Sequence, residues 1–287
     1  MENLAVLLED RGIMAIGGEE SRDFLQNLIT NDVDLLSETQ AIYAALLTPQ
    51  GKYLYDFLLA EQSGTILVDV NSTQLPDFFR KLMMYRLRAA VTLEDASEDW
   101  VVYALLGDVP GLGTEGGSSM AIDGGIILRD PRAAKIGARA ILAKDTAEQT
   151  LAALGFNRAD RSNYEDRRIS LGVVDGVADM DQEKTLLLEA NFEDLQGVAF
   201  NKGCYVGQEQ TARTKHRATI RNRIYPVAFE GAAPSNGTPV TLDGKAIGTM
   251  RSTSGNRGLA RLRVESVESG SALTAEGTKL TVKELDL

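Results

Sequence analysis

Residues 202–209, Lys-Gly-Cys-Tyr-Val-Gly-Gln-Glu, hold the single cysteine of a 287-residue chain. Lys202 stands two residues before Cys204, glycines flank it at 203 and 207, and Glu209 follows five residues after it. Gly203 and Gly207 allow backbone shapes that a side chain forbids, and they let other groups approach closely. This setting fits a thiol presented on a turn that leads into a helix from Gln208 onward. The other reading is a small buried hydrophobe, the fate of most free cysteines. A thiol near a cation and a helix N-terminus can have its pKa lowered from about 8.5 toward roughly 3.5–7.5, and the thiolate is the nucleophile and metal ligand. Lys202 is the candidate cation, acting with Cys204. His216, the single histidine, is a candidate base; its separation from Cys204 in sequence neither supports nor excludes contact. Tyr205, Gln208, Glu209 and Arg213 are supporting residues. Glu209 and Arg213 stand at i and i+4, a favourable pair on a helix surface, and Gln208 can hydrogen-bond the backbone of the same turn.

The ligand inventory limits what that thiol can do. Iron–sulfur clusters generally take four protein ligands, mostly cysteine thiolates. One Cys and one His fall short of this, and of a zinc finger. No stable metal cluster is expected on the chain alone, and any cluster it handles needs ligands from a partner or a second copy. A lone cysteine excludes an intramolecular disulfide and suits a reducing compartment. Met1-Glu2-Asn3 carries an acid where a targeting signal carries bases, and no apolar run approaches a transmembrane length. These features predict a cytoplasmic protein without a membrane partner.

The net charge is −11, which disfavours nonspecific binding to nucleic acid or anionic membrane. Between Lys202 and Arg223, however, six Lys or Arg face the single acid Glu209, a net +5 that leaves −16 on the remainder. A local basic patch on an acidic chain suits a discrete anionic ligand, with Arg221 and Arg223 as candidate contacts. A solvated helix or strand face accounts for the same pattern. An RNA-binding module is a rival reading that the acidic remainder weighs against, because phosphate contacts supply most nonspecific affinity.

Several elements must position these groups. Glu19–Leu28 has the periodicity of an amphipathic helix, with Phe24, Leu25, Leu28 and Ile29 on one face. Strands are predicted at Ala41–Leu47, Tyr53–Ala60, Thr65–Val70, Ala89–Leu93 and Trp100–Leu106, with a helix at Leu75–Tyr85. Thr48-Pro49-Gln50-Gly51 is a tight-turn sequence. Gly111, Gly113 and Gly116 spell G-x-G-x-x-G inside a long loop. The motif signals dinucleotide binding only where it opens a helix in a βαβ unit, and the next segment is another turn and strand. Asp145 and Glu148 resemble a capping box before an apolar run to Leu154. Asn163–Leu171 is a predicted helix carrying Tyr164. After Tyr225 short apolar runs alternate with Gly and Pro turns, the pattern of a small β-barrel or sandwich. The whole is α+β, with a boundary near Arg223.

Lys202-Gly203-Cys204-Tyr205-Val206-Gly207-Gln208-Glu209 resembles the signature of the YgfZ/GcvT-like folate-binding family, whose members support iron–sulfur enzyme maturation. Thr211-Ala212-Arg213-Thr214 and Ile220-Arg221-Asn222-Arg223 are similar to the segment that follows it in the family's mitochondrial member. Phe24 through Val33, and Pro49-Gln50-Gly51-Lys52 through Asp56, are similar to family segments in the same order. The resemblance implies a GcvT-like folate-binding region over residues 1–222, with a ferredoxin-like α/β subdomain at about 41–155, and a C-terminal small β-barrel over 223–287, packed around a central cavity. It implies tetrahydrofolate or another folate as cofactor. Its partners would be iron–sulfur carrier proteins and client iron–sulfur enzymes. Tyr164 matches an aromatic folate-lining position, and Arg11 stands at a second such position, where its planar guanidinium can still stack. Asp56 resembles the acid that aminomethyltransferases of the superfamily use near the folate nitrogens. Ser170 stands where those transferases carry glutamate, which argues against the rival reading of a folate-dependent aminomethyltransferase or demethylase. The implied function is that of an accessory factor with Cys204 as its essential thiol, and the basic segment is expected to border the folate site.

Overall fold

A computed structural model describes residues 2–217, 220–268 and 273–287. Two antiparallel sheets face each other. One has five strands in the order Ile42–Leu47, Tyr53–Gln62, Thr65–Asn71, Arg11–Gly17, Thr92–Asp95. The other has six, in the order Asn157–Ala159, Leu4–Leu7, Trp100–Leu106, Ala138–Ala143, Gly125–Arg129, Ser119–Ile122, with one parallel pairing between its first two strands. Residues before 41 are therefore built into both sheets, and the α+β unit does not begin at residue 41 as the sequence suggested. Strand alternation explains the layering. Tyr43, Ala45, Leu58 and Leu67 of the first sheet meet Val6, Val102, Ile126 and Ile141 of the second in one shared core. Ala44, Leu46, Phe57 and Val68 point the other way, under the helices Ser21–Gln26 and Leu75–Arg86.

The predicted helix face of Phe24, Leu25, Leu28 and Ile29 is buried. Two local readings need correction. The last strand of the first sheet is Thr92–Asp95, not Ala89–Leu93. Residue 90 is held in a turn, its amide donating to Glu20 Oε2 and its carbonyl accepting from the Glu20 amide. The capping box at Asp145 does not form. Thr146 precedes the Ala147–Ala153 helix without a side-chain cap, and Glu148 accepts from Tyr103 Oη at 2.8 Å and pairs with Arg158.

The strands from Asn222–Phe229 to Thr278–Val282 close into a six-stranded barrel around Val227, Phe229, Val240, Met250, Leu262 and Leu280. It docks on the Arg161–Leu171 helix. Buried Arg168 donates to Ser252 Oγ at 2.9 Å and to Asp179 Oδ2 at 2.9 Å, and Ser252 N donates to Asp179 Oδ1. Between that helix and the barrel, residues 173–207 cross the molecule in short helical turns, anchored by Val173, Leu187, Phe192, Leu195 and Tyr205 in the shared core.

Candidate functional site

Three sequence segments converge on the cysteine. The first is Ile29-Thr30-Asn31. Thr30 Oγ1 donates to Gly197 O at 2.7 Å and accepts from Ala45 N at 2.8 Å. Asn31 Nδ2 donates to Tyr43 O at 2.7 Å and Gln196 O at 2.8 Å. This short stretch thus ties the edge strand to the loop that leads to Cys204. The second segment is Lys202 itself. Its Nζ donates to Ile29 O at 2.8 Å and Asn31 O at 2.7 Å, and it lies 5.3 Å from the centre of the Tyr205 ring. The third is the Pro49-Gln50-Gly51 turn. Gly207 has φ +83°, and a Cβ there would stand 2.6 Å from Thr48 O and 3.0 Å from Gly51 Cα. Both the backbone shape and the close approach require glycine at this position. The Gln208–Arg217 helix starts one residue later.

Cys204 is exposed in the middle of this arrangement, between buried Lys202 and buried Tyr205. The presented-thiol reading therefore describes its place better than the core-hydrophobe one. The supporting roles need revision. Lys202 is 8% exposed and points inward to two carbonyls, so it anchors the loop and does not face the thiol. Burial lowers its pKa to about 8, against the pull of Asp32 and Asp34. Gly203 has nothing within 4 Å of a built Cβ, so neither close approach nor backbone shape requires glycine there. Glu209 and Arg213 are both exposed and do not pair, and Gln208 contributes its backbone amide, to Tyr205 O at 3.2 Å. His216 is exposed two turns along the helix, about 12 Å from its start at 1.5 Å per residue. Among the described residues no group of three or more His, Cys, Asp or Glu is arranged to hold a metal ion.

The residues expected to bind folate lie elsewhere, between the two sheets. Asp56 accepts from Tyr43 Oη at 3.0 Å and Tyr53 Oη at 2.8 Å. Gly176 covers it so tightly that a Cβ would fall 1.7 Å from Oδ1. Burial pushes the Asp56 pKa up, against the pull of Arg11. Arg11 is turned onto Asp69, donating from Nε to Oδ1 at 2.5 Å and from a terminal nitrogen to the carbonyl oxygen at 2.6 Å. Arg139 takes the other Asp69 oxygen at 2.6 Å. Tyr164 Oη accepts from Arg139 at 2.9 Å and Arg132 at 3.0 Å, and Arg132 is chelated by Asp130. The guanidiniums of Arg139 and Arg161 lie over the Tyr164 ring, 5.9 and 5.4 Å from its centre. The cavity left among these groups is about 10 Å³. One water needs roughly 10–15 Å³ by the same measure, and small-molecule pockets run to roughly 300–1,000 Å³. The central cavity expected from the sequence is largely filled by these side chains.

Arg221 and Arg223 do not line this cavity. Arg223 is held by Asn191 and Asp194, and it borders a groove of about 770 Å³ beside the barrel, with Tyr225, Lys279 and Lys283. Arg221 is exposed. The basic segment therefore does not border the centre. Sequence reasoning missed Arg132, Arg139, Tyr43 and Tyr53 at the centre, and Thr30 and Asn31 beneath the thiol. Of these, Tyr53, Thr30 and Asn31 had a signal, because they lie in segments with family resemblance.

Comparison with known proteins places the chain. It is 34% identical over 283 residues to the mitochondrial iron–sulfur cluster assembly factor IBA57 of Mus musculus, covering 91% of this chain and 78% of the relative. The chain belongs to the IBA57 family. The factor from Homo sapiens is equally similar, 34% over 280 residues with the same coverage. The model of the CAF17 C-terminal beta-barrel domain matches residues 221–286, the barrel. The crystal structure of glycine cleavage system aminomethyltransferase T from Bartonella henselae superposes with a TM-score of 0.81 at 16% identity, over 99% of this chain and 86% of that one. The fold is therefore that of the GcvT aminomethyltransferases with a closed C-terminal barrel, as the sequence implied. The cytoplasmic expectation is overturned, because the relatives from Mus musculus, Homo sapiens and Mycosarcoma maydis are mitochondrial proteins. That expectation rested on a lone cysteine, the charge of three N-terminal residues and the lack of a long apolar run, none of which identifies a compartment.

Proposed function

We propose that this chain takes part in iron–sulfur cluster assembly by presenting Cys204 as one thiolate ligand to a cluster whose other ligands come from a cysteine-bearing partner. The observation that carries this reading is the exposed sole thiol on a loop held from both sides, by Lys202 before it and by Tyr205 and Gly207 after it. A single soft donor cannot retain a cluster, but it can share one, and a fixed loop reduces the ordering entropy that the partner must overcome. The cluster is cargo in this scheme. The partners are carrier proteins and, downstream, client iron–sulfur enzymes. Support comes from membership in a family whose relatives are cluster assembly factors.

Aminomethyl transfer is a poorer reading. Asp56 is sealed under Gly176, and Ser170 is half-buried with its hydroxyl donating to Arg167 O. The basic segment is also a poor polyanion site, since Lys215 and Arg223 pair with Glu193 and Asp194. Anaerobic reconstitution followed by gel filtration tests the proposal. Iron and sulfide are expected to co-elute with a complex of this chain and a cysteine-bearing carrier. They should not co-elute with the chain alone, nor with the complex of a Cys204→Ser variant. A stoichiometric cluster on the isolated monomer, or an unaffected serine variant, refutes shared ligation.

A further inference from the structure

We infer that the GcvT-like centre of this chain is a closed polar core that takes no folate. Three requirements of a pterin site are unmet at once. A pterin stacks on an open aromatic face, but two guanidiniums already lie over the Tyr164 ring. An acid serving the ligand nitrogens needs an approachable oxygen, but Asp56 is buried, each of its oxygens already accepts a tyrosine hydroxyl, and Gly176 closes over it. The guanidinium at the second lining position would have to be free to stack, but Arg11 is bound to Asp69.

The groups that fill the space also hold one another in place. Asp69 bridges Arg11 and Arg139, Arg139 and Arg132 share the Tyr164 hydroxyl, and Asp130 chelates Arg132. Admitting a bicyclic ring would strand at least one buried charge, and a buried ion pair that loses one partner is strongly destabilising. The two sheets are thus joined by a network at the place where a binding hole would run. The chain retains the GcvT scaffold and the acid at 56, with the acid turned to structural use. This inference does not depend on the role given to Cys204, and its test uses neither the thiol nor a cluster.

The test is direct binding to the wild-type full chain. Tetrahydrofolate and its stable 5-formyl derivative, each to about 1 mM, a weak-binding ceiling of roughly −4 kcal/mol, are titrated anaerobically by calorimetry. Hydrogen exchange is followed with and without ligand. The expected result is no saturable heat, and no added protection in Ile42–Leu47, Tyr53–Gln62 or Arg161–Leu171. Protection confined to other elements also supports a closed centre, because it places the ligand elsewhere. Saturable binding with protection of those three elements overturns the inference.

Discussion

Replacing Lys202 with Met tests whether an inward-facing ammonium positions the outward-facing thiol. Met keeps the length and removes the donor. Two buried carbonyls, Ile29 O and Asn31 O, then lose bonds of 2.8 and 2.7 Å. An unmade buried bond costs about 1–3 kcal/mol, so the loss amounts to roughly 2–6 kcal/mol. An opposing term reduces it. The folded-state pKa of Lys202 falls from 10.5 to about 8, chiefly through burial. At about 1.4 kcal/mol per unit, discounted for solvent screening, removing that charge returns about 2–3 kcal/mol. The difference of these terms runs from about −1 to 4 kcal/mol and centres near about 1.5 kcal/mol, a net destabilisation concentrated in the Cys204 loop. A loop that is docked less of the time lowers apparent partner affinity in proportion to the docked fraction, so about 1.4 kcal/mol weakens the shared-cluster complex by at most about tenfold.

The pH dependence separates this account from a generic packing defect. The folded pKa lies below the unfolded one, so the charged-form penalty is fully present below pH 8. It fades as pH rises from 8 toward 10.5. Wild-type stability should gain over that window relative to Lys202→Met, measured as the difference between two urea-unfolding series. Parallel curves, or a methionine variant that forms the complex with wild-type affinity, refute the positioning role.

Three further outcomes follow from the same geometry. Gly207→Ala should lose about 2–4 kcal/mol from the left-handed backbone and the 2.6 Å approach to Thr48 O, whereas Gly203→Ala should stay within about 0.5 kcal/mol; urea midpoints compare the two. Asp69→Asn should cost about 3–5 kcal/mol, because Arg11 and Arg139 lose a shared buried partner. Although burial alone would raise it, those arginines hold the Asp69 carboxyl below the usual range. Its contribution is therefore present above pH about 4 and lost as pH falls further, and acid unfolding of the asparagine variant should lack that component.

The strands Ile42–Leu47, Tyr53–Gln62, Thr65–Asn71 and Trp100–Leu106, the first helices and the barrel were legible because their burial follows from period and turn chemistry, whereas Leu4–Leu7, Arg11–Gly17 and Ala138–Ala143 were not read as strands. Phe24, Leu25, Leu28 and Ile29 recur at helical spacing, and alternating residues of Ile42–Leu47 serve two different cores. Cys204 was legible as a presented thiol because Gly207 needs its freedom against Thr48 and Gly51. The direction of Lys202 was not legible. Proximity in sequence placed its charge beside the thiol, and strand-like alternation would put residues i and i+2 on one side, but the loop buries Lys202 and exposes Cys204, and nothing local reveals that the carbonyls of Ile29 and Asn31 await a donor. The centre was misread for a related reason. Asp56, Tyr164 and Arg11 are the residue types a folate site would use, and their identities do not say whether the space between them is open. That is decided by Arg132 and Arg139, which lie outside the segments that carry the family resemblance. Residues that recognise a ligand and residues that replace it share one chemistry, namely guanidiniums, phenols and carboxylates. Only the packing between the sheets, with about 10 Å³ left over, distinguishes a binding site from a polar core. For this chain the packing moves the functional argument from the middle of the fold to the loop at its edge, where Cys204 is exposed.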